Sequence, residues 1–479
     1  MEIISIQFIL LSIISVFIYY SLHHKFRVAF LVLVSCAFIG TLSLHLLGYL
    51  LIFSGINYLL GRRLPHARYK KALFRFGIVI NVAQIIILKY ADFALQPLFD
   101  QINVDMPFNT LSQFIVPIGI SYFTLQGIGY LINIKMGWEK PEKNILNFVL
   151  YLCFYPKFLS GPIERSNKFL PQLQSPQKFS HEQVVAGLKI VLFGIFKKVA
   201  IANQLAPFIQ GSWTHLDSAG GSILWATLLI QPIYLYFDFS GYTDIAIGTA
   251  RMFGINLLPN FNRPFFSENM VTFWKKFHIT LGAWFNDYIF RQTAFRRRKW
   301  GVYSSVYALV ISWTLFGIWH GAGWNFMFLG LLQAAAIIYE FFTKRWRLSI
   351  LPKLKGNKRI WFSRIITYLF YCVSLVFFFS PSLGSAFSFF SKLTTPNQAL
   401  QFFYRADLIA LLLGLAFVLL YLWFELIQND YRDTHVRIMQ FWHGETKRKK
   451  IFRWAFYYLI IILIFVTTSK VEQFVYIQF

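Results

Sequence analysis

Long apolar runs recur along the whole chain, and short charged segments separate them. Val28–Leu60 is long enough to cross a bilayer and return, and Leu408–Gln428 is long enough to cross once, because each crossing needs about 20 apolar residues. Counted in this way, the runs predict about eleven to thirteen crossing or re-entrant helices. The pattern therefore predicts an all-α, polytopic membrane helical bundle.

The charged segments between the runs differ in sign. Segments 62–71 and 291–299 are rich in Lys and Arg, whereas segments 96–113 and 211–221 contain acidic residues and neither Lys nor Arg. Cytoplasmic loops of membrane proteins carry an excess of Lys and Arg. We therefore expect the two basic segments on the cytoplasmic side and the two acidic segments on the opposite side.

Composition supports the membrane interpretation. Of the 479 residues, 57% are hydrophobic and 14% are charged, which leaves too little polar surface for a water-soluble fold. A net charge of +26 suits nucleic-acid binding in a soluble chain, but here membrane runs divide Lys and Arg among short loops. We expect the lipid bilayer as a partner and no nucleic acid. No repeat or low-complexity linker is visible, which predicts a single domain, residues 1–479.

The three cysteines, Cys36, Cys153 and Cys372, all lie within apolar runs. An odd number of cysteines in such positions argues against a disulfide framework and against a zinc site. The sequence therefore predicts no metal site.

One candidate for chemistry is His278, in the segment FWKKFHITLGAWFNDY (Phe273–Tyr288). Placed on a helix, Trp274, His278 and Leu281 share one apolar face, which predicts that His278 points away from water. A histidine packed against a backbone carbonyl explains this position as well as a functional histidine does.

His320 is the stronger candidate. It lies in GIWHGAGW (Gly317–Trp324), where three glycines between two apolar runs predict a broken helix or a tight turn. An ionisable residue in sequence of membrane depth is a functional candidate by default, and a neutral imidazole is suited to act as a general base. Both flanks of GIWHGAGW are expected to return to the cytoplasm, which places His320 toward the outer end of a helical hairpin. A position of His320 in the middle of the membrane requires the two helices of the hairpin to be recessed. The sequence leaves both positions open.

Two further stretches interrupt apolar runs with polar or helix-breaking residues. In 154–173, Pro156 and Gly161 predict either a loop at the membrane surface or a break that protein covers. Asp238, Asp244 and Arg251 lie in one apolar run, where each charge costs about 2.5–3.5 kcal/mol unless it is paired or faces a cavity. Asp244 and Arg251, seven positions apart, share a helix face, which predicts a polar network inside the bundle. Lys198 lies past the middle of another apolar run and either lines a polar cavity or extends to the membrane interface.

Taken together, six motif regions resemble the membrane-bound O-acyltransferase (MBOAT) family, and within it the bacterial alginate O-acetylation branch. They are VPIGISYFTLQGIGYLI (116–132), FYPKFLSGPIER (154–165), GIFKKVAIAN (194–203), YFDFSGYTDIAIGTARMFG with PNFNRPF (236–254 and 259–265), FWKKFHITLGAWFNDY (273–288) and GIWHGAGWNF (317–326). The resemblance extends over nearly the whole chain.

The resemblance implies a fold, a site and a reaction. The fold is a helical bundle around a central funnel in the bacterial cytoplasmic (inner) membrane, and His320 matches the essential membrane-embedded histidine while His278 matches the second histidine. The implied donor substrate is acetyl-CoA, with no tightly bound cofactor. The implied acceptor is a hydroxyl group of an exported polysaccharide or of an extracytoplasmic acetyltransferase partner.

Two alternatives stay open at this stage. A similar branch of the family implies D-alanyl transfer for teichoic acid, although Ile163 and Glu164 are closer to the alginate-type pattern. A transporter or flippase with proton-relaying histidines is the other alternative. Transporters often contain internal repeats with matched broken helices, and no second copy of the break at Gly317–Trp324 is visible.

Overall fold

Helices make up nearly all of the structure, a computed structural model that describes residues 3–91, 93, 95, 119–159, 161–175, 177–350, 357–396 and 405–468. These ranges contain no strand, which confirms the all-α prediction, and an isolated bridge pairs Phe261 with Phe277. The α-helices are α1 (Ile6–Ser21), α2 (His24–Leu42), α3 (Leu44–Arg63), α4 (Lys70–Ile85), α5 (Ile120–Met136), α6 (Ile145–Cys153), α7 (Tyr155–Phe158), α8 (Ser166–Gln174), α9 (His181–Phe196), α10 (Asn203–Thr214), α11 (Gly221–Met252), α12 (Met270–Trp274), α13 (Ile279–Phe285), α14 (Arg291–Arg296), α15 (Val302–His320), α16 (Trp324–Phe342), α17 (Lys344–Ile350), α18 (Asn357–Phe379), α19 (Leu383–Ser391), α20 (Arg405–Asp430), α21 (Arg432–Trp442) and α22 (Lys447–Thr467). The π-helical segments are Ile86–Tyr90, Lys197–Ala202 and Asn286–Phe290, and the 3₁₀ turns are Pro264–Phe266, Arg298–Trp300 and Lys392–Thr394.

Nine helices within the described ranges are long and apolar enough to cross a membrane, so the chain is a multi-pass membrane protein. They are α2, α3, α4 with its π-helical extension, α11, α15, α16, α18, α20 and α22. The run Val28–Leu60 forms α2 and α3, as predicted. These two helices meet at Ser43, whose Oγ accepts a hydrogen bond from the N–H of Leu46 (3.2 Å) and so begins α3. The predicted external segment 96–113 lies outside the described residues.

Contacts group the chain into two compact units, each built from separate parts of the sequence. Unit one contains Met1–Val191, Thr243–Pro259 and Trp284–Tyr288. Unit two contains Leu192–Tyr242, Asn260–Ala283 and Ile289–Phe479. The assignment of residues 1–479 to one domain stays a prediction.

Unit one buries the interrupted run that begins at Phe154. Phe154 and Tyr155 are fully buried, and the N–H of Tyr155 donates to Oγ of Ser35 (3.1 Å). The hydroxyl of Tyr151 donates to the carbonyl oxygen of Glu164 (2.9 Å). Because protein side chains satisfy backbone groups at the break, the covered break is confirmed and the surface loop is wrong.

Unit two contains a buried ion pair between Lys198 and Asp238. Nζ of Lys198 lies 2.5 Å from Oδ1 of Asp238, and neither side chain is exposed. Pairing is thus how the charge of Asp238 is accommodated, whereas the polar network expected for Asp244 and Arg251 stays a prediction. Lys198 lies in the π-helical segment Lys197–Ala202, and it pairs with a carboxylate inside the unit and does not reach the interface.

Candidate active site

His278 lies in a turn between two short helices. α12 ends at Trp274 and α13 begins at Ile279, so the prediction of one helix through Phe273–Tyr288 is wrong. The predicted burial of His278 is confirmed, since only 1% of the residue is exposed. Apolar periodicity indicates which side chains are buried, and it does not detect a break in the backbone between them.

The backbone of His278 is left-handed, with φ = 48°, a conformation that costs a non-glycine residue about 1–2 kcal/mol. Asn260 supplies the hydrogen bonds that hold the turn. Its carbonyl oxygen accepts from the N–H of Ile279 (3.0 Å), and its Oδ1 accepts from the N–H (3.2 Å) and the hydroxyl (2.6 Å) of Thr280. Strained non-glycine residues that neighbours hold in place cluster at functional sites. The turn therefore makes His278 a candidate functional residue on structural grounds.

His320 is the last residue of α15, and the chain turns at residues 321–323 into α16, so the predicted helix break is confirmed. Two glycines let these helices approach closely. A Cβ atom at Gly317 would lie 2.2 Å from the carbonyl oxygen of Phe326, and one at Gly330 would lie 2.1 Å from that of Trp313. The hairpin that positions His320 thus depends on the absence of side chains at these two positions.

His278 and His320 line one cavity inside unit two. The cavity is small, with a volume of about 20 Å³, which is about the room for one water molecule. The ring of Trp319 contacts both imidazoles, at centroid distances of 6.1 Å for His278 and 4.9 Å for His320. The rest of the wall is mainly apolar and aromatic, and consists of Leu235, Trp274, Phe277, Phe316, Leu329, Gln333, Tyr371, Leu375 and Phe378. The structure therefore brings together the two histidines that the sequence singled out.

Gln333 is a polar residue of this cavity that the sequence did not reveal as a candidate. It lies in the middle of α16 and is fully buried. Its Oε1 accepts a hydrogen bond from Nε1 of Trp274 at 3.1 Å. In the sequence, the signal for Gln333 was a single amide side chain within the apolar run 326–338. Such a residue also fits a packing contact between two helices.

Burial determines the charge of His278, which lies outside the nine candidate spans of the described ranges. Removal from water lowers its pKa to about 3, because a low-dielectric surrounding disfavours the imidazolium form. His278 is therefore neutral near pH 7 and a weak base. It is better suited to hydrogen bonding with a reactant than to taking a proton from it.

A second buried polar cluster lies in unit one, around the motif 154–165. Nζ of Lys157 donates to Oε1 of Gln126 (2.6 Å), and Oε1 of Glu164 accepts from the N–H of Leu258 (2.7 Å). Burial lowers the pKa of Lys157 and raises the pKa of Glu164. The contacts join the interrupted run to distant parts of unit one, which fits a structural role.

No metal-binding cluster of three or more His, Cys, Asp or Glu side chains is found in the part of the chain that the structure describes. Cys36, Cys153 and Cys372 are free thiols. The expectations of no metal site and no tightly bound cofactor stay predictions.

Comparison with known proteins adds independent information. The family model for MBOAT, the membrane-bound O-acyltransferase family, matches residues 139–382, about half of the chain. The matched region contains His278, His320 and Gln333.

Three curated relatives illustrate the similarity. The probable alginate O-acetylase AlgI of Azotobacter vinelandii is 27% identical over 383 residues, which cover 78% of this chain and 74% of the relative. The peptidoglycan O-acetyltransferase of Helicobacter pylori is 32% identical over 353 residues, which cover 67% of this chain and 64% of the relative. The teichoic acid D-alanyltransferase of Bacillus subtilis is 28% identical over 276 residues, covering 54% of this chain and 68% of the relative.

Proposed function

The chain belongs to the membrane-bound O-acyltransferase family, and from this premise we propose that it transfers an acetyl group from a thioester donor to a hydroxyl group of the cell envelope. One observation carries the proposal. His278 and His320 lie 42 positions apart, in two of the motifs that resemble the family, and they line the same small cavity. Two imidazoles beside one cavity provide a base and a hydrogen-bonding group for acyl transfer.

His320 is proposed as the general base. The hydroxyl oxygen forms a bond to the thioester carbonyl carbon while its proton passes to His320, the carbon–sulfur bond then breaks, and the proton passes on to the leaving thiolate. A positioned base contributes about 10²- to 10⁴-fold in rate. His278, whose pKa burial lowers to about 3, is proposed to position a reactant and to stabilise developing charge.

Acetyl-CoA is the proposed donor, as a substrate and not as a bound cofactor. The volume of the cavity, about 20 Å³, favours a short acyl group over a long chain. The basic segment 291–299 is predicted to face the cytoplasm, where it would attract the phosphates of the donor. The positive-inside rule also explains these charges, so they do not identify the donor. The choice of a short acyl group rests on the small volume of the cavity.

The proposed acceptor is an exported polysaccharide, reached directly or through an extracytoplasmic acetyltransferase partner. Support comes from the relatives, which include proteins named for O-acetylation of alginate and of peptidoglycan. All of these relatives are bacterial, and the proposed location is the bacterial cytoplasmic (inner) membrane.

D-alanyl transfer is the second candidate, because teichoic acid D-alanyltransferases are 28% identical over half of the chain or more. A D-alanyl group carries an ammonium ion, and a charge of this kind is costly to bury unless a carboxylate pairs with it. The described residues that line the cavity include no Asp or Glu. This lining favours the neutral acetyl group.

The test is mass spectrometry of envelope glycans from cells that lack the wild-type chain and express variants at matched membrane levels. His320→Ala and His278→Gly remove the two imidazoles, and glycine is chosen at 278 because it tolerates the left-handed backbone. His66→Ala is the control, since His66 is exposed and belongs to unit one.

We expect acetyl esters to disappear with His320→Ala, to fall with His278→Gly and to persist with His66→Ala. D-alanyl esters that follow the same pattern would replace the acetyl proposal. Esters that persist in full with His320→Ala would reject the catalytic assignment.

A further inference from the structure

The amide of Gln333 has a fixed orientation in the wall of the cavity. Nε1 of Trp274 can only donate a hydrogen bond, so the atom that faces it at 3.1 Å must be the amide oxygen of Gln333. The amide nitrogen, Nε2, is therefore the end that remains for another partner. Nε2 is buried and has no hydrogen-bond partner among the described residues.

A buried N–H donor without a partner is unusual in a folded protein, and each case calls for an explanation. Gln333 is fully buried and lines the same cavity as His278 and His320. A ligand in the cavity is therefore a natural partner for Nε2. The amide N–H of Gln333 indicates the chemistry of this ligand, because a neutral N–H donor binds an oxygen that carries lone pairs, such as a carbonyl oxygen.

We propose that Nε2 of Gln333 donates to the carbonyl oxygen of the acyl thioester and stabilises the negative charge that develops there during attack. This inference rests on the proposed function. The new carbon–oxygen bond shifts the carbonyl electron pair onto the oxygen, and Gln333 holds that oxygen without giving up a proton. When the carbon–sulfur bond breaks, the carbonyl re-forms, and the proton that His320 took goes to the sulfur.

Trp274 acts in this scheme as a positioning residue. Its indole fixes the orientation of the amide before the donor binds. Such preorganisation is what makes a hydrogen-bond donor effective toward a charge that exists only in the transition state.

The experiment compares two buried glutamines of unit two. Gln333→Met removes the proposed donor. Gln231→Met is the matched control, because Gln231 is also fully buried and donates Nε2 to the carbonyl oxygen of Cys372 (3.3 Å) but does not line the cavity. The readouts are the O-acyl esters of any kind in the cell envelope, and kcat and donor KM of purified protein in lipid nanodiscs with acetyl-CoA.

We expect Gln333→Met to lower kcat about 10²- to 10³-fold, the usual effect of losing one such donor, with a donor KM within about threefold of wild type, since the lost interaction forms mainly in the transition state. Trp274→Phe is expected to lower kcat about tenfold with the same KM, because the amide loses its orientation. Gln231→Met is expected to keep the wild-type kcat.

A variant with a shorter amide distinguishes the loss of the hydrogen bond from a folding defect. Gln333→Asn keeps an amide at the position but withdraws its N–H by one methylene group, so kcat is expected to fall although a buried amide is retained. Equal rates for Gln333→Met and Gln231→Met, or a wild-type rate for Gln333→Asn, would overturn the proposal.

The proposed function fails in a different way. If the envelope esters of wild-type cells are D-alanyl, the acetyl assignment is wrong, but both acyl groups come from a thioester and the comparison of the two glutamines still decides the role of Gln333. If no O-acyl ester depends on the wild-type chain, both proposals are rejected.

Discussion

His278 shows how single residues at this site depend on their neighbours. Its left-handed backbone is held by Asn260, whose side-chain oxygen accepts two hydrogen bonds from Thr280. The strain is local, but its effect is to orient an imidazole into the cavity that His320 also lines. At this scale, therefore, the hydrogen bonds of the turn are expected to matter for catalysis as much as for stability.

Asn260→Ala tests that coupling. The substitution removes the acceptor for the N–H and the hydroxyl of Thr280, and the loss is expected to cost about 1–3 kcal/mol of stability, because a buried donor is left unsatisfied. We also expect lower acyl transfer, measured as kcat. If Asn260 affects catalysis by positioning the imidazole of His278, adding Asn260→Ala to the His278→Gly variant lowers kcat no further. Additive losses in this double-mutant cycle would contradict the coupling.

The pH dependence of activity provides a second residue-scale prediction. Because burial lowers the pKa of His278 to about 3, the imidazole is protonated only below that pH and stays neutral between pH 5 and 8. His278→Gly is therefore expected to lower kcat/KM without moving the acid limb of its pH profile, which reports groups of the free enzyme that titrate in this range. An acid limb that shifts in the variant would show that His278 does titrate there.

At the scale of elements, the hairpin of α15 and α16 carries both His320 and Gln333. The two helices have 19 residues each and approach at Gly317 and Gly330. Small residues at helix contacts are the usual means of close approach in membranes. The hairpin therefore sets the distance between two polar groups of the cavity through backbone packing.

Gly330→Ala is expected to disrupt this hairpin. A Cβ atom at Gly330 would lie 2.1 Å from the carbonyl oxygen of Trp313, so the helices must separate, at a cost of about 1–3 kcal/mol. The variant should unfold at a lower temperature in detergent and lose acyl transfer. Gly48→Ala in α3 is the control, because among the described residues no atom beyond its chain neighbours and its own helix backbone lies within 4 Å of the added Cβ. Equal effects of the two substitutions would rule out the packing explanation.

The ion pair of Lys198 and Asp238 joins the π-helical segment to α11. Lys198→Met leaves a buried carboxylate without this partner and is expected to cost about 3–5 kcal/mol, whereas the double variant Lys198→Met, Asp238→Leu should recover much of the loss. Thermal unfolding of purified protein measures both. If the double variant is as unstable as Lys198→Met, the unpaired carboxylate is not the main cause of the lost stability.

For the whole molecule, charge bias predicts the orientation in the membrane. In a Cys36→Ser background, Arg297→Cys should react with a membrane-impermeant thiol reagent only from the cytoplasmic side, and Asp217→Cys only from the opposite side. The side chain of Asp217 is exposed in unit two, and the native Cys153 and Cys372 are buried. Labelling of both positions from one side would reject the predicted orientation.

The class of the molecule and its two candidate histidines follow from the sequence alone. Apolar runs of crossing length force helices, because a bilayer offers no water to satisfy backbone groups, and the glycines around His320 predicted the break between α15 and α16. The remainder of the site depends on tertiary contacts. Only packing showed that His278 occupies a left-handed turn, that the run from Phe154 is covered by protein, and that Trp274 orients Gln333 from 59 positions away. Periodicity describes one element at a time, whereas these features arise from contacts between elements that are distant in the chain.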